Sequence, residues 1–482
     1  MPAQSNLDMV FSSVVFLLYF LPAFLLVYYL APVKLKNYVI LAFSIFFYAW
    51  GAPLFVFAVV GSTALNFYIV KWMSLEGDRS VKRKLMALSV FLNLGLLGYF
   101  KYANFFIENV NELILQLNIG SSIEWTKIVL PIGISFFTFQ SLTYSVDVYR
   151  NVHKPLKKLS DYILYIMMFP QMIAGPIVRF NWIADQITHR KETNDDRLLG
   201  FYRFVIGLAK KVLIANVMGA EADRIMALDI AGIDSTTAWL GILAYTFQIY
   251  FDFSGYSDMA IGIGRMIGFK FPENFNDPYV SQSITEFWRR WHITLGAWMR
   301  DYLYIPLGGS RVKTRRRLYF NLWFVFLVSG LWHGASWNFV IWGGFHGLFL
   351  ILDRLFLLKV LEKIGKWPAM IFTFFVVMMG WVVFRIEDFD TAMIYYQRLF
   401  AFDFKTWILP GNYQFFFILI LATFFSFVTV SKWGLRLQDL IFYTDYKIKG
   451  KVIMMVICAM LFALALASIT TSGFNPFIYF RF

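Results

Sequence analysis

Long apolar blocks recur from end to end of this chain of 482 residues, and they restrict its fold more than any motif does. A block of about 20 such residues crosses a hydrocarbon core about 30 Å thick as a helix. Hydrophobic residues make up 59% of the chain and charged ones only 15%, against roughly 25% charged in a soluble domain. A soluble enzyme is therefore excluded. A transmembrane β-barrel is set aside too, because it needs alternating strands of about 10 residues where this chain has continuous runs. The expectation is an all-α polytopic membrane protein with roughly 11 to 12 transmembrane helices.

The expected spans are Val10–Leu30, Tyr38–Trp50, Phe55–Trp72, Leu85–Phe100, Ile128–Val148, Phe201–Met218, Trp239–Phe253, Tyr319–His333, Phe339–Leu358, Met370–Phe384, Tyr413–Val430 and Val452–Thr470. The start Met1–Phe20 has no Lys or Arg ahead of its apolar block and reads as a retained span, not a cleaved leader. Asp161–Phe180 contains Phe169-Pro170 and Ala174-Gly175-Pro176. It should bend back as a re-entrant segment, which is tolerable only where protein or water surrounds the freed backbone. Tyr256–Gly309 is too polar to span. Within it, Trp288, Trp291, Leu295 and Trp298 fall 3, 4 and 3 apart, so Glu286–Arg300 is expected as one interfacial amphipathic helix.

The net charge of +14 is largely a matter of topology. Most Lys and Arg fall in short loops such as Lys71–Lys84, Arg150–Lys158, Arg289–Arg317 and Lys432–Lys451, which the positive-inside rule places in the cytoplasm. Tyr102–Trp125, Glu221–Asp234 and Glu387–Asp390 are acidic or neutral and should be outer loops. Both termini are then extracytoplasmic. The basic surplus implies contact with membrane lipids and no nucleic-acid partner. A single cysteine, Cys458, excludes an intrachain disulfide framework or thiolate metal site.

Several polar residues lie inside apolar runs. Gln140, Thr143, Tyr144 and Asp147 share one helical face, as do Tyr245, Gln248 and Asp252. Carboxylates at such depth pair with cations or line a wet cavity, so a structural network and a tunnel lining are both open. Gly255, Gly262, Gly264 and Gly268 have no preceding strand and no following Walker lysine, so they form no phosphate loop. His292 lies at the edge of the Trp288 stripe, and spacing alone favours a satisfied interfacial histidine over a catalytic one. Asp301, among Arg300, Arg311 and Lys313, fits a simple ion-pair partner. His333, in Leu331-Trp332-His333-Gly334, ends an apolar span, and imidazole is suited to take a proton from a hydroxyl near neutral pH. Its flanking glycines are expected to leave room for a substrate. His346 does not make a zinc pair with it, since no HExxH pattern is present. No metal site is expected, and no serine sits in a G-x-S-x-G setting.

Four runs in order, Tyr250-Phe251-Asp252-Phe253-Ser254-Gly255-Tyr256-Ser257-Asp258, Phe287-Trp288-Arg289-Arg290-Trp291-His292, Arg300-Asp301-Tyr302-Leu303-Tyr304-Ile305-Pro306-Leu307-Gly308-Gly309 and Leu331-Trp332-His333-Gly334, closely resemble the membrane-bound O-acyltransferase family. Within it the chain is similar to the bacterial branch that O-acetylates alginate or peptidoglycan and D-alanylates teichoic acid. The resemblance covers nearly the whole chain and implies a single integral-membrane domain over 1–482, with re-entrant and interfacial helices around a central tunnel. It implies His333 as the catalytic histidine and general base, with His292 as a second polar position of the central region. Tunnel and support candidates are Asp252, Gln248, Trp332, Asp301, Tyr304 and Asn338. Arg289 and Arg290 are candidates for the donor mouth, although ordinary positive-inside charge accounts for them equally.

The closing segment 472–482, Ser472-Gly473-Phe474-Asn475-Pro476-Phe477-Ile478-Tyr479-Phe480-Arg481-Phe482, resembles the C-terminal tyrosine motif of that branch. Tyr479 is then an acyl relay at the outer end of the tunnel; the competing reading is a tail of interfacial aromatics. The resemblance further implies a bacterial inner-membrane enzyme with no permanently bound cofactor and acetyl-coenzyme A as the acyl donor. The acceptor is then a polysaccharide, reached through an extracytoplasmic serine-type (SGNH) transferase or carrier. Transfer of D-alanyl or another acyl group is the alternative within the family, and a polysaccharide or lipid transporter using the same polar path is the alternative outside it.

Overall fold

The computed structural model describes residues 9–404, 413–444 and 446–472, and the described residues are helices and their connections, without a strand. Five described helices are long and apolar enough to cross a membrane by length and composition alone: Phe55–Leu75, Arg79–Leu117, Lys366–Arg385, Tyr413–Val430 and Ile448–Thr471. Among the other expected spans, some are covered largely by neighbouring protein. Ile134–Tyr149 shows this: Gln140, Thr143, Tyr144 and Asp147 are all buried, as their shared face demands.

The chain divides into two compact units. The first comprises Met1–Glu192 with Gly268–Phe271. Its helices are joined by a buried polar cluster. The Ser89 hydroxyl donates to Asn66 Oδ1 at 2.6 Å, and the Asn66 amide donates to the Tyr162 hydroxyl at 2.7 Å. In an apolar surrounding these groups have no water to turn to, so the helices that carry them are held together. The re-entrant segment is present as two short helices, Leu159–Met167 and Phe169–Met172, followed by buried irregular backbone. Phe169 anchors it: its ring lies 5.0 to 6.2 Å from those of Phe11, Phe16, Phe20, Phe24 and Phe47, and its N–H donates to Ser44 Oγ at 3.1 Å. The stretch Tyr102–Trp125 is not a simple loop, since Ala103–Leu117 continues as helix. The expected span Ile128–Val148 becomes helical only at Ile134, after Gly133 at φ 77°.

The second unit comprises Thr193–Ile267 and Pro272–Phe482. Its centre is the long helix Ser235–Met266, which runs past Tyr256 but is not among the helices apolar enough to cross a membrane by composition. Two of its buried carboxylates are paired with cations. Asp258 accepts from Arg203 Nε at 2.8 Å and Lys210 Nζ at 2.6 Å, and Asp252 pairs with Lys211 Nζ at 2.5 Å. The helix packs against Asn194–Ala209 through reciprocal glycines. A Cβ on Gly207 would come within 2.5 Å of the Gly255 carbonyl oxygen, and one on Gly200 within 2.7 Å of that of Gly262. Gly207→Val should therefore force the two backbones apart and destabilise the protein by about 1–3 kcal/mol. Thermal unfolding of the purified protein checks this, with Gly95→Val as control because a Cβ there meets nothing within 4 Å.

Candidate active site

The histidine site lies wholly in the second unit. The helix expected across Glu286–Arg300 is broken there. Ile284–Arg290 ends, Trp291 is extended, His292 takes φ 45°, and Ile293–Trp298 starts a new helix. The left-handed conformation is unusual for a residue with a side chain and costs on the order of 1 kcal/mol. Tertiary hydrogen bonds impose it: the Asn274 carbonyl accepts from the Ile293 N–H at 2.9 Å, and the Asn276 N–H donates to the Arg290 carbonyl at 2.9 Å. The segment keeps an enclosed and an open side, with Phe287 and Trp291 buried and Arg289 and Arg300 exposed.

Asn274 fixes the imidazole as well. Its amide donates to Ser257 Oγ at 3.0 Å, and its Oδ1 accepts from Thr294 Oγ1 at 2.7 Å and lies 3.0 Å from His292 Nδ1. With that oxygen an acceptor, Nδ1 carries the proton. His292 Nε2 remains as a lone-pair nitrogen that meets no hydrogen-bond partner among the described residues.

His333 closes the helix Arg315–His333, which folds back on Trp337–Leu352. Close approach at two glycines sets that hairpin: a Cβ on Gly330 would fall 2.2 Å from the Phe339 carbonyl oxygen, and one on Gly343 2.3 Å from that of Phe326. The space beside Gly334 is filled by the Phe339 ring. The flanking glycines thus admit protein and not substrate, which corrects the expectation drawn from them. The His333 ring is 93% buried, with centroids 5.0 Å from Trp332, 5.1 Å from Trp342 and 5.4 Å from Phe384. Trp332 is also 6.0 Å from the His292 ring, so one indole touches both imidazoles.

A cavity of about 450 Å³ reaches His292. Its lining includes Arg289, Arg300 and Arg354, together with Tyr304, Ser329, Trp288 and an apolar wall of Leu295, Val325 and Phe326. Burial holds the Tyr304 phenol above its ordinary range, so it stays protonated. Ser329 lies one helical turn before His333 on the same helix. The arrangement can hold an anionic head group on guanidinium groups, an apolar stem along the wall and a reacting carbonyl near imidazole.

The other sequence candidates are distributed differently. Arg290 is outside the cavity lining, donating to Glu286 at 2.9 Å and to the Asn276 carbonyl at 3.2 Å. Asp301 is gripped by Arg300 at 2.6 and 3.0 Å. Asp252 engages Lys211, and Gln248 packs where a Cβ on Gly219 would fall. Asn338 donates to the Val383 carbonyl at 3.2 Å and is bonded to Ser336. Tyr479 lies outside the described residues. Arg354 and Asn274 were not legible beforehand: Arg354 looks like one more topogenic charge, and Asn274 sits in an irregular run with no periodicity.

The model of the membrane-bound O-acyltransferase family matches residues 3–383, which include both histidines. The probable alginate O-acetylase AlgI of Azotobacter vinelandii is 45% identical over 431 residues, covering 89% of this chain and 85% of that protein. The protein of the same name from Pseudomonas aeruginosa is 46% identical over 402 residues, 83% of this chain and 76% of its own. The peptidoglycan O-acetyltransferase of Helicobacter pylori is 37% identical over 430 residues, 80% of this chain and 78% of its own. With its helical architecture and apolar spans, the chain is a multi-pass membrane protein that belongs to the membrane-bound O-acyltransferase family.

Proposed function

We propose that this chain is the membrane subunit of an O-acetylation system, passing an acetyl group from cytoplasmic acetyl-coenzyme A outward to a polysaccharide. The observation that carries the reading is the arginine-bearing cavity lined in part by His292, with Trp332 packed against both His292 and His333. Arg289, Arg300 and Arg354 bind the donor's phosphates, and the apolar wall holds the pantetheine arm. His333 removes the proton from an acceptor hydroxyl as its oxygen attacks the thioester carbonyl. The carbon–sulfur bond then breaks, and the thiolate of coenzyme A takes up the proton that His333 acquired. His292 hydrogen-bonds the donor through Nε2.

The first acceptor hydroxyl is that of Tyr479, and the resulting acetyl ester is handed to an extracytoplasmic serine-type transferase that modifies the sugar. Alginate and peptidoglycan acetylation by the relatives' names supports a polysaccharide as final acceptor. Mass spectrometry of the C-terminal peptide after incubation with acetyl-coenzyme A tests the reading. Wild type should gain an acetyl group on Tyr479, and His333→Ala and Tyr479→Phe should not. If the peptide stays unmodified while His333-dependent thioester cleavage persists, the relay is wrong and the transferase stands. Loss of both signals favours the transporter or transfer from another acyl donor.

A further inference from the structure

His346 and Asp353 have no role in the reaction just described, yet both are enclosed, at 0% and 2% exposure. They lie seven residues apart, two turns along the chain that continues from Trp337–Leu352, and each grips the same short helix, Ile284–Arg290. Trp288 Nε1–H donates to His346 Nδ1 at 3.3 Å. The Thr285 N–H and hydroxyl both donate to Asp353 Oδ2, at 2.8 and 2.7 Å. Thr285 and Trp288 are three residues apart and so share a face, and with Arg289 they line the cavity.

The bond also fixes the tautomer. Because Nδ1 accepts, Nε2 carries the proton, and it sits against Gly380, where a Cβ would lie only 2.8 Å away. The same imidazole is 5.0 Å from the ring of Trp342, on which His333 packs at 5.1 Å.

We infer that His346 and Asp353 are positioning residues, a two-point clasp that sets the Thr285–Trp288–Arg289 wall of the donor cavity. The inference rests on the acyl-donor reading. Neither group touches the reacting atoms. Asp353 holds the start of the short helix, and His346 holds the indole that fills the cavity's side. Without the clasp the wall loses its register, and the donor is held less well.

The test is the dissociation constant of coenzyme A for the purified full-length protein, measured for wild type, Trp288→Phe, His346→Leu, the double variant and His346→Asn, with thermal midpoints alongside. Trp288→Phe keeps an aromatic side chain on the wall and removes the Nε1–H donor together with the second ring of the indole. Each of the first two substitutions should weaken binding about fivefold, and the double variant should be no weaker than either, because one bond is lost in all three. His346→Asn, which keeps an acceptor near the Nδ1 position, should stay within about twofold of wild type. Losses that multiply to about 25-fold in the double variant, or unchanged affinity in Trp288→Phe, overturn the clasp while leaving the acyl-transfer reading in place. So does an Asn variant as weak as the Leu one. Should His346→Leu fail to fold, Trp288→Phe and His346→Asn decide alone. A wild type that binds no coenzyme A overturns the clasp and the acyl-donor reading together.

Discussion

His333→Ala should yield a folded membrane protein whose acyl transfer is reduced roughly 10²–10⁴-fold, the usual contribution of a general base. The expectation has two parts. His333 ends its helix and packs between Trp332, Trp342 and Phe384. Truncating it leaves a void among large aromatics but breaks no helix, and the glycine-seated hairpin with Trp337–Leu352 is untouched. What disappears is the group that removes the hydroxyl proton. Acetyl content of the polysaccharide and thioester cleavage by the purified protein are the readouts, with a monodisperse elution profile and a near-wild-type thermal midpoint as evidence of folding. A variant that is folded and fully active would remove His333 from the chemistry. His333→Gln, which keeps hydrogen bonding and bulk without basicity, should be as inactive as the alanine variant.

Asp252→Ala should have the largest effect on stability. Asp252 and Lys211 form an ion pair at 2.5 Å with both side chains 2% exposed, and Lys211 also donates to Asn216 Oδ1 at 2.9 Å. Removing the carboxylate leaves an ammonium group enclosed without its countercharge, a loss of about 3–5 kcal/mol. Replacing both partners by apolar groups of similar size, Lys211→Met with Asp252→Leu, should recover most of that loss, because neither charge then has to be desolvated. Thermal unfolding of the single and double variants measures it. The double variant also decides the role of Asp252. If it folds and transfers acyl groups, Asp252 serves the packing of Ser235–Met266 and not the tunnel.

The sequence made the helical class plain, since runs of about 20 apolar residues have few other uses. It also marked Gln140, Thr143, Tyr144 and Asp147 for enclosure through their helical periodicity, although the structure buries almost the whole of that helix and not one face of it. The break at His292 was hidden. Trp288, Trp291, Leu295 and Trp298 fit one continuous amphipathic helix, and the contacts that interrupt it come from Asn274 and Asn276, which local periodicity does not reach. Arg289, Arg290 and Arg354 look alike as basic residues of short connections; Arg290 pairs with Glu286 one turn back on its own helix, whereas tertiary packing brings Arg289 and Arg354 to the cavity. A signal for the glycine seam was present beside the absence of a phosphate loop. Gly255 and Gly262 fit no phosphate loop, and their seven-residue spacing, matched by Gly200 and Gly207, marks two helices in backbone contact.

Inside-out membrane vesicles, given acetyl-labelled acetyl-coenzyme A on the outer, originally cytoplasmic, face, test the central claim most directly. They would be made from cells carrying either the wild-type chain or His333→Ala. The account predicts alkali-labile acetyl label protected in the lumen of wild-type vesicles, with free coenzyme A remaining outside, and no luminal label with His333→Ala. Equal luminal label in both, or entry of intact acetyl-coenzyme A, would contradict it and make this chain a conduit instead of a transferase.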